Sequence, residues 1–121
     1  MDIDISECAR YLKDKEERRI LERENLRRKV MRKLSLLSEV LNNFPGVKKA
    51  YIFGSILKKG RFGENSDIDI ALEGNVKRDY FLIWGKLEEK LGERVDLRIL
   101  ENNSTSQIIK REGKLVYERE N

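Results

Sequence analysis

The chain has 121 residues, enough to bury one core of ordinary size, and no run approaches the ~18 apolar residues of a membrane span. Cys8 is the sole cysteine and histidine is absent, which excludes an intrachain disulfide and argues against zinc and against histidine general-base chemistry. Charged residues make up 40% with a net charge of +4 and both signs interspersed, so a nucleic-acid surface, which concentrates Lys and Arg on one face, is not favoured.

The acidic opening MDIDISE lacks the basic region of a signal peptide, and with the lone thiol the expected location is the cytoplasm, with no membrane partner. From about Ser6 to Asn43 there is no glycine or proline, which predicts one long helix or two in series, with Ser6 as N-cap. Leu26, Val30, Leu34, Leu37 and Leu41 recur at steps of three and four, forming a face that packs on a sheet. Every residue from Lys13 to Arg19 is charged. Residues 6–25 therefore read either as a solvated helical extension or as an arm that docks a partner or a second copy of the chain.

Asn43-Phe44-Pro45-Gly46 ends the helix, and Lys48 to Phe53 follows as a first strand. After Gly54-Ser55, Ile56 to Lys59 is expected to make a short helical turn and Gly60 to Asn65 a loop. Ser66 to Leu72 is a second strand, because Ile68, Ile70 and Leu72 alternate with Asp67, Asp69 and Ala71. Asp79 to Leu91 is a second helix, with Phe81, Trp84, Leu87 and Leu91 on its core face, and Gly92 ends it. Arg94 to Leu100 gives a third strand, in which Asp96 and Arg98 alternate with Val95, Leu97 and Ile99; a helix at Gln107 to Glu112 and an apolar run, Leu115 to Tyr117, close the chain.

Asp67 and Asp69 project from one side of their strand. Adjacent carboxylates repel and raise one another's pKa unless a cation neutralises them, and magnesium, a hard ion that prefers oxygen, fits the pair best. If the third strand lies beside the second, Asp96 joins them, and three carboxylates meet the need of two metal ions roughly 4 Å apart. Asp67 and Asp69 would then bind both ions, while Asp96 would hold the catalytic one and could accept a proton from the acceptor hydroxyl. Gly54 and Ser55 supply a turn that lets the backbone approach a phosphate, with Lys58 to neutralise it and Ser66 counted among the nucleotide-binding residues. Singly these features are weak; their order along the chain is much more specific.

Gly54-Ser55, eleven residues, then Asp67-Ile68-Asp69 resembles the signature of the DNA polymerase beta-like nucleotidyltransferases, and the length resembles their minimal nucleotidyltransferase (MNT) group. The resemblance covers roughly residues 47–117, including the closing Ile109 to Tyr117 segment; Lys58 stands where the family often has arginine. It implies an α+β fold, a small mixed sheet flanked by helices behind a long N-terminal helix. Residues 1–46 would be a helical extension packing on a nucleotidyltransferase domain at 47–121. It also implies magnesium, ATP as the nucleoside triphosphate and transfer to a hydroxyl. Many MNT proteins are antitoxins encoded beside a HEPN ribonuclease toxin, and some transfer AMP to its tyrosine. The leading expectation is such an antitoxin; the alternatives are an idle MNT protein that neutralises by binding, or an enzyme acting on RNA or a small hydroxylated molecule.

Overall fold

The computed structural model describes residues 4–120. The first three residues and Asn121, the extreme ends of the two expected units, lie outside the described residues. The long helix α1 spans Ile5–Lys33 and passes through a single 3-10 turn, Leu34–Leu36, into α2, Leu37–Leu41. Its N-cap is Asp4 rather than the expected Ser6: the Asp4 carboxylate accepts the Ser6 N–H at 2.9 Å, satisfying one of the helix's open donors. Every residue from Asp4 to Arg23 is exposed, Leu12 by 62%, and burial begins only at Glu24. The expected stripe then engages, with Val30, Leu34, Leu37 and Leu41 all in the core.

Four strands follow: β1 (Val47–Phe53), β2 (Ile68–Gly74), β3 (Val95–Ile99) and β4 (Lys114–Glu118), in the sheet order β3-β2-β1-β4. β1 runs antiparallel to both neighbours, whereas β2 and β3 are parallel, joined by helix α3 (Tyr80–Leu91). This is the expected mixed sheet. Ile52, Ile70 and Leu97 point from one face into the main core, which the end of α1, α2 and α3 cover. The other face carries only a small cluster, Tyr51 and Ala71 under Ile109 of α4 (Ser104–Glu112), and leaves the tips of β2 and β3 open. Glu73 of β2 and Lys110 of α4, 2.6 Å apart, tie α4 to that face.

The core face of α3 differs from the sequence expectation. Phe81 is 80% exposed, and the buried positions are Ile83, Leu87 and Leu91. The expected series steps by three and four and the observed one by four, both helical spacings that share Leu87 and Leu91, so periodicity does not separate them. Phe81 packs instead edge-on against Tyr80, with centroids 5.1 Å apart. Gly92 ends the helix in the left-handed region, φ 66°, donating its N–H to the Glu88 carbonyl at 2.9 Å.

Candidate active site

The parallel pairing of β2 and β3 sets Asp69 directly beside Asp96, with Phe53 of β1 opposite Asp69 and Arg98 opposite Ala71. Because side chains alternate, all of these lie on the sheet face opposite the main core, with Ala71 covered by α4. The strand neighbourhood anticipated for Asp96 is therefore present.

Asp96 is held there by α3. β3 is an edge strand, and an edge leaves a row of unpaired backbone groups. Tyr80, Trp84 and Glu88, each four residues apart on α3, engage that row. The Tyr80 hydroxyl donates to the Leu97 carbonyl, Trp84 Nε1 donates to the Val95 carbonyl at 2.7 Å, and the Val95 N–H donates to Glu88 at 2.9 Å. Asp96 sits between the two residues so fixed. Burial, then the Asp96 charge, raises the Tyr80 phenol, against the opposing effect of Arg98.

The turn after β1 comes close to the same point. Gly54 has φ 76° and opens a 3-10 turn, Gly54–Leu57, and a Cβ placed on it would lie 2.2 Å from Asp69 Oδ2. Only glycine fits, both for backbone conformation and for space. Gly54 and Asp69 are thus parts of one site.

Asp69 carries the electrostatic cost of the arrangement. Desolvation by burial, followed by the neighbouring Asp96 charge, pushes its carboxyl up to about 6 from an ordinary 3.8; Arg98 opposes this, while Asp67 and a hydrogen bond with Asp96 add to it. Such a displaced carboxylate is a characteristic of functional sites.

The remaining expected residues are placed differently. Asp67 precedes β2 rather than lying in it, because residues 63–66 close a turn. Ser66 N–H donates to the Gly63 carbonyl at 3.0 Å, and Gly63 N–H donates back to Ser66 Oγ at 2.9 Å. The Ser66 hydroxyl is engaged in that turn. Asp67 Oδ1 lies 3.3 Å from Arg94 Nε, and Arg94 Nη2 donates to the Asn65 carbonyl at 2.7 Å. Asp96 has its own guanidinium, Arg98 Nη2 at 3.8 Å, and Arg98 also lies 5.9 Å over the Phe53 ring. Among the described residues no three acidic or thiol groups are gathered into a metal cage. Ser55 is half-buried in the turn, while Lys58 and Lys59 are exposed.

Sequence reasoning assigned no role to Arg94 and Arg98. Their signal was present at β3, where Arg94 just before the strand and Asp96 and Arg98 within it share one alternation. A hard cation fits the donor set, which is all carboxylate oxygen with two of the acids adjacent and one strongly shifted.

No curated protein matches the chain. Among solved structures, a toxin–antitoxin complex with AMP-PNP is 30% identical, with 68% of this chain and 70% of the other covered and a TM-score of 0.53. The MntA–HepT toxin–antitoxin complex is 25% identical over 74% and 73% of the two chains, also at 0.53. A tri-AMPylated Shewanella oneidensis HEPN toxin in complex with MNT antitoxin matches in fold, at 24% identity over 74% and 73% with a TM-score of 0.51. Residues 35–121 match the family described as "Polymerase beta, Nucleotidyltransferase". With Gly54, Asp69 and Asp96 brought to one point of a mixed sheet, the chain belongs to the polymerase beta-like nucleotidyltransferases, in their MNT group.

Proposed function

We propose that the chain is an MNT antitoxin that transfers AMP from ATP to a hydroxyl, on a tyrosine, of a HEPN-type partner in a magnesium-dependent reaction. The observation that carries this reading is the adjacency of Asp69 and Asp96 under Gly54. An adenine nucleotide as donor is supported by the 30% identical complex with AMP-PNP, and a HEPN-type partner by the MntA–HepT complex. In this reading residues 47–121 are the catalytic domain and 1–46 a helical extension.

The acceptor oxygen attacks the α-phosphorus of ATP, the bond to the pyrophosphate oxygen breaks, and pyrophosphate leaves. Asp96 accepts the hydroxyl proton, so that the products are the AMP ester, pyrophosphate and a protonated carboxyl. The Gly54-Ser55 turn orients the terminal phosphates, aided by Lys58 and Ser66. Asp69 and Asp96, joined by Asp67 once it leaves Arg94, would hold two magnesium ions. Bound there, magnesium neutralises phosphate charge and makes the attacking hydroxyl more acidic. Arg94 and Arg98, which pair with Asp67 and Asp96, would be free to meet phosphate oxygens once those carboxylates hold metal.

Incubation with α-labelled ATP, magnesium and a HEPN-type partner protein should label that protein, and Asp67→Asn/Asp69→Asn should abolish the label. Label that persists in the double variant would refute the site. A second reading, neutralisation by binding alone, is favoured by the pairing of Asp67 and Asp96 with arginines. Full rescue from the toxin by the folded double variant would support it.

A further inference from the structure

The exposed part of α1 and the loop at residues 61–66 enclose a cleft of 820 Å³ that ends at Ser66, one residue from Asp67. Its walls are fastened together at the base. Arg27 Nε donates to the Ile56 carbonyl at 2.7 Å, Gly60 N–H donates to Glu24 Oε2 at 3.3 Å, and Arg27 Nη1 donates to Glu24 Oε1 at 3.0 Å. Burial alone would raise the Glu24 carboxyl; Gly60, Arg27 and Arg28 outweigh it and hold the group below its usual range. Phe62, 2% exposed, anchors the loop in the main core.

Its charge is distributed across both walls. Arg19 and Arg23, one turn apart, come from α1, and Arg61 from the loop. Arg23 and Arg61 have no ion pair or side-chain hydrogen bond among the described residues, and Arg23 Nε reaches within 3.9 Å of where a Cβ on Gly63 would lie. Two carboxylates, Glu22 and Glu64, also line the cleft, and no aromatic side chain does. A nucleic acid strand would find no ring among the described residues of the lining on which to stack its bases. A polypeptide with acidic side chains fits better, since guanidinium forks bind carboxylates bidentately and the two glutamates accept intervening amide or basic groups. α1 before residue 35 lies outside the family match, so one wall is an addition to the shared domain.

We propose that this cleft binds an acidic polypeptide segment of the acceptor protein, beside the hydroxyl that receives the nucleotide. The assignment rests on the reading of the chain as a protein nucleotidyltransferase, and its test is made without nucleotide or metal. The probe is a labelled random copolymer of glutamate and tyrosine, followed by fluorescence anisotropy with the full chain at about 50 mM salt, where screening is modest. The wild-type chain should bind it, and Arg23→Glu/Arg61→Glu should weaken binding about tenfold or more. Arg23→Gln/Arg61→Gln should lose less in the same direction. Lys77→Glu/Lys86→Glu, an equal charge change just before and within α3 at residues that do not line the cleft, should stay within about twofold. Both arginines are exposed, and unchanged circular dichroism verifies folding of the variants. Absence of copolymer binding, an equal loss in the α3 control, or oligouridylate binding with the same dependence on Arg23 and Arg61 would each overturn the assignment. Copolymer binding that depends on the two arginines, in a chain that transfers no AMP, would instead remove the catalytic reading and leave the cleft's ligand in place.

Discussion

Asp69→Asn isolates the electrostatic cost built into the site. The Asp69 carboxyl is raised from 3.8 to about 6, so between those values the folded chain binds more protons than the unfolded one. Stability must then fall as pH rises through that window, with the full cost present above about 6 and none below about 3.8. A shift of about two pKa units corresponds to roughly 3 kcal/mol if undiminished. Asp69 is only part-buried and solvent screens it, which reduces the expected cost to about 1–2 kcal/mol. Asparagine preserves the shape and removes the charge. In metal-free buffer at pH 7.5 the variant should unfold about 3–8 °C higher than the wild type by circular dichroism. At pH 4 the two should converge. Magnesium should raise the wild-type midpoint and leave the variant's nearly unmoved, since a ligand stabilises only the state that binds it. A variant no more stable than wild type at pH 7.5, or equally stabilised by magnesium, would refute the reasoning.

Four further substitutions probe the surroundings of that carboxylate and the packing of α3. Gly54→Ala places a Cβ 2.2 Å from Asp69 Oδ2 at φ 76°, and should cost about 1–3 kcal/mol in urea denaturation while weakening ATP binding measured by calorimetry. Arg98→Met removes a charge that lowers the Asp69 pKa, so carboxyl NMR titration should find Asp69 titrating above about 6. Ile83→Ala should lose about 2–4 kcal/mol as a fully buried side chain, whereas Phe81→Ser should stay within about 0.5 kcal/mol of wild type in the same denaturation series.

The carboxylates were legible because strand alternation is a strict rule: once β2 and β3 pair, Asp69 and Asp96 must share a face. The mixed sheet and the α1 stripe were legible from the same periodicities. Three features were not. The start of β2 depends on hydrogen bonds between Gly63 and Ser66, which no propensity predicts, and that turn leaves Asp67 outside the ladder. The face of α3 differs because Phe81 joins Leu87 and Leu91 through steps of three at Trp84 while Ile83 joins them through steps of four, and only the sheet beneath decides between them. The four-residue spacing of Tyr80, Trp84 and Glu88 was visible, but its meaning requires knowing that β3 is an edge.

The distribution of guanidiniums explains why the cost settles on one acid. Asp67 has Arg94 at 3.3 Å and Asp96 has Arg98 at 3.8 Å, whereas Asp69, between them, has no ion pair among the described residues and receives only the distant effect of Arg98. Its oxygen is also the one pressed against Gly54, where no side chain can enter to neutralise it. A cation that settles beside Asp69 therefore relieves repulsion that the protein leaves uncompensated, while one beside Asp67 or Asp96 must first displace an arginine. In the proposed reaction Asp69 would then be the first point of capture for a cation, and Arg94 and Arg98, displaced from Asp67 and Asp96, would become available to the phosphates of the nucleotide.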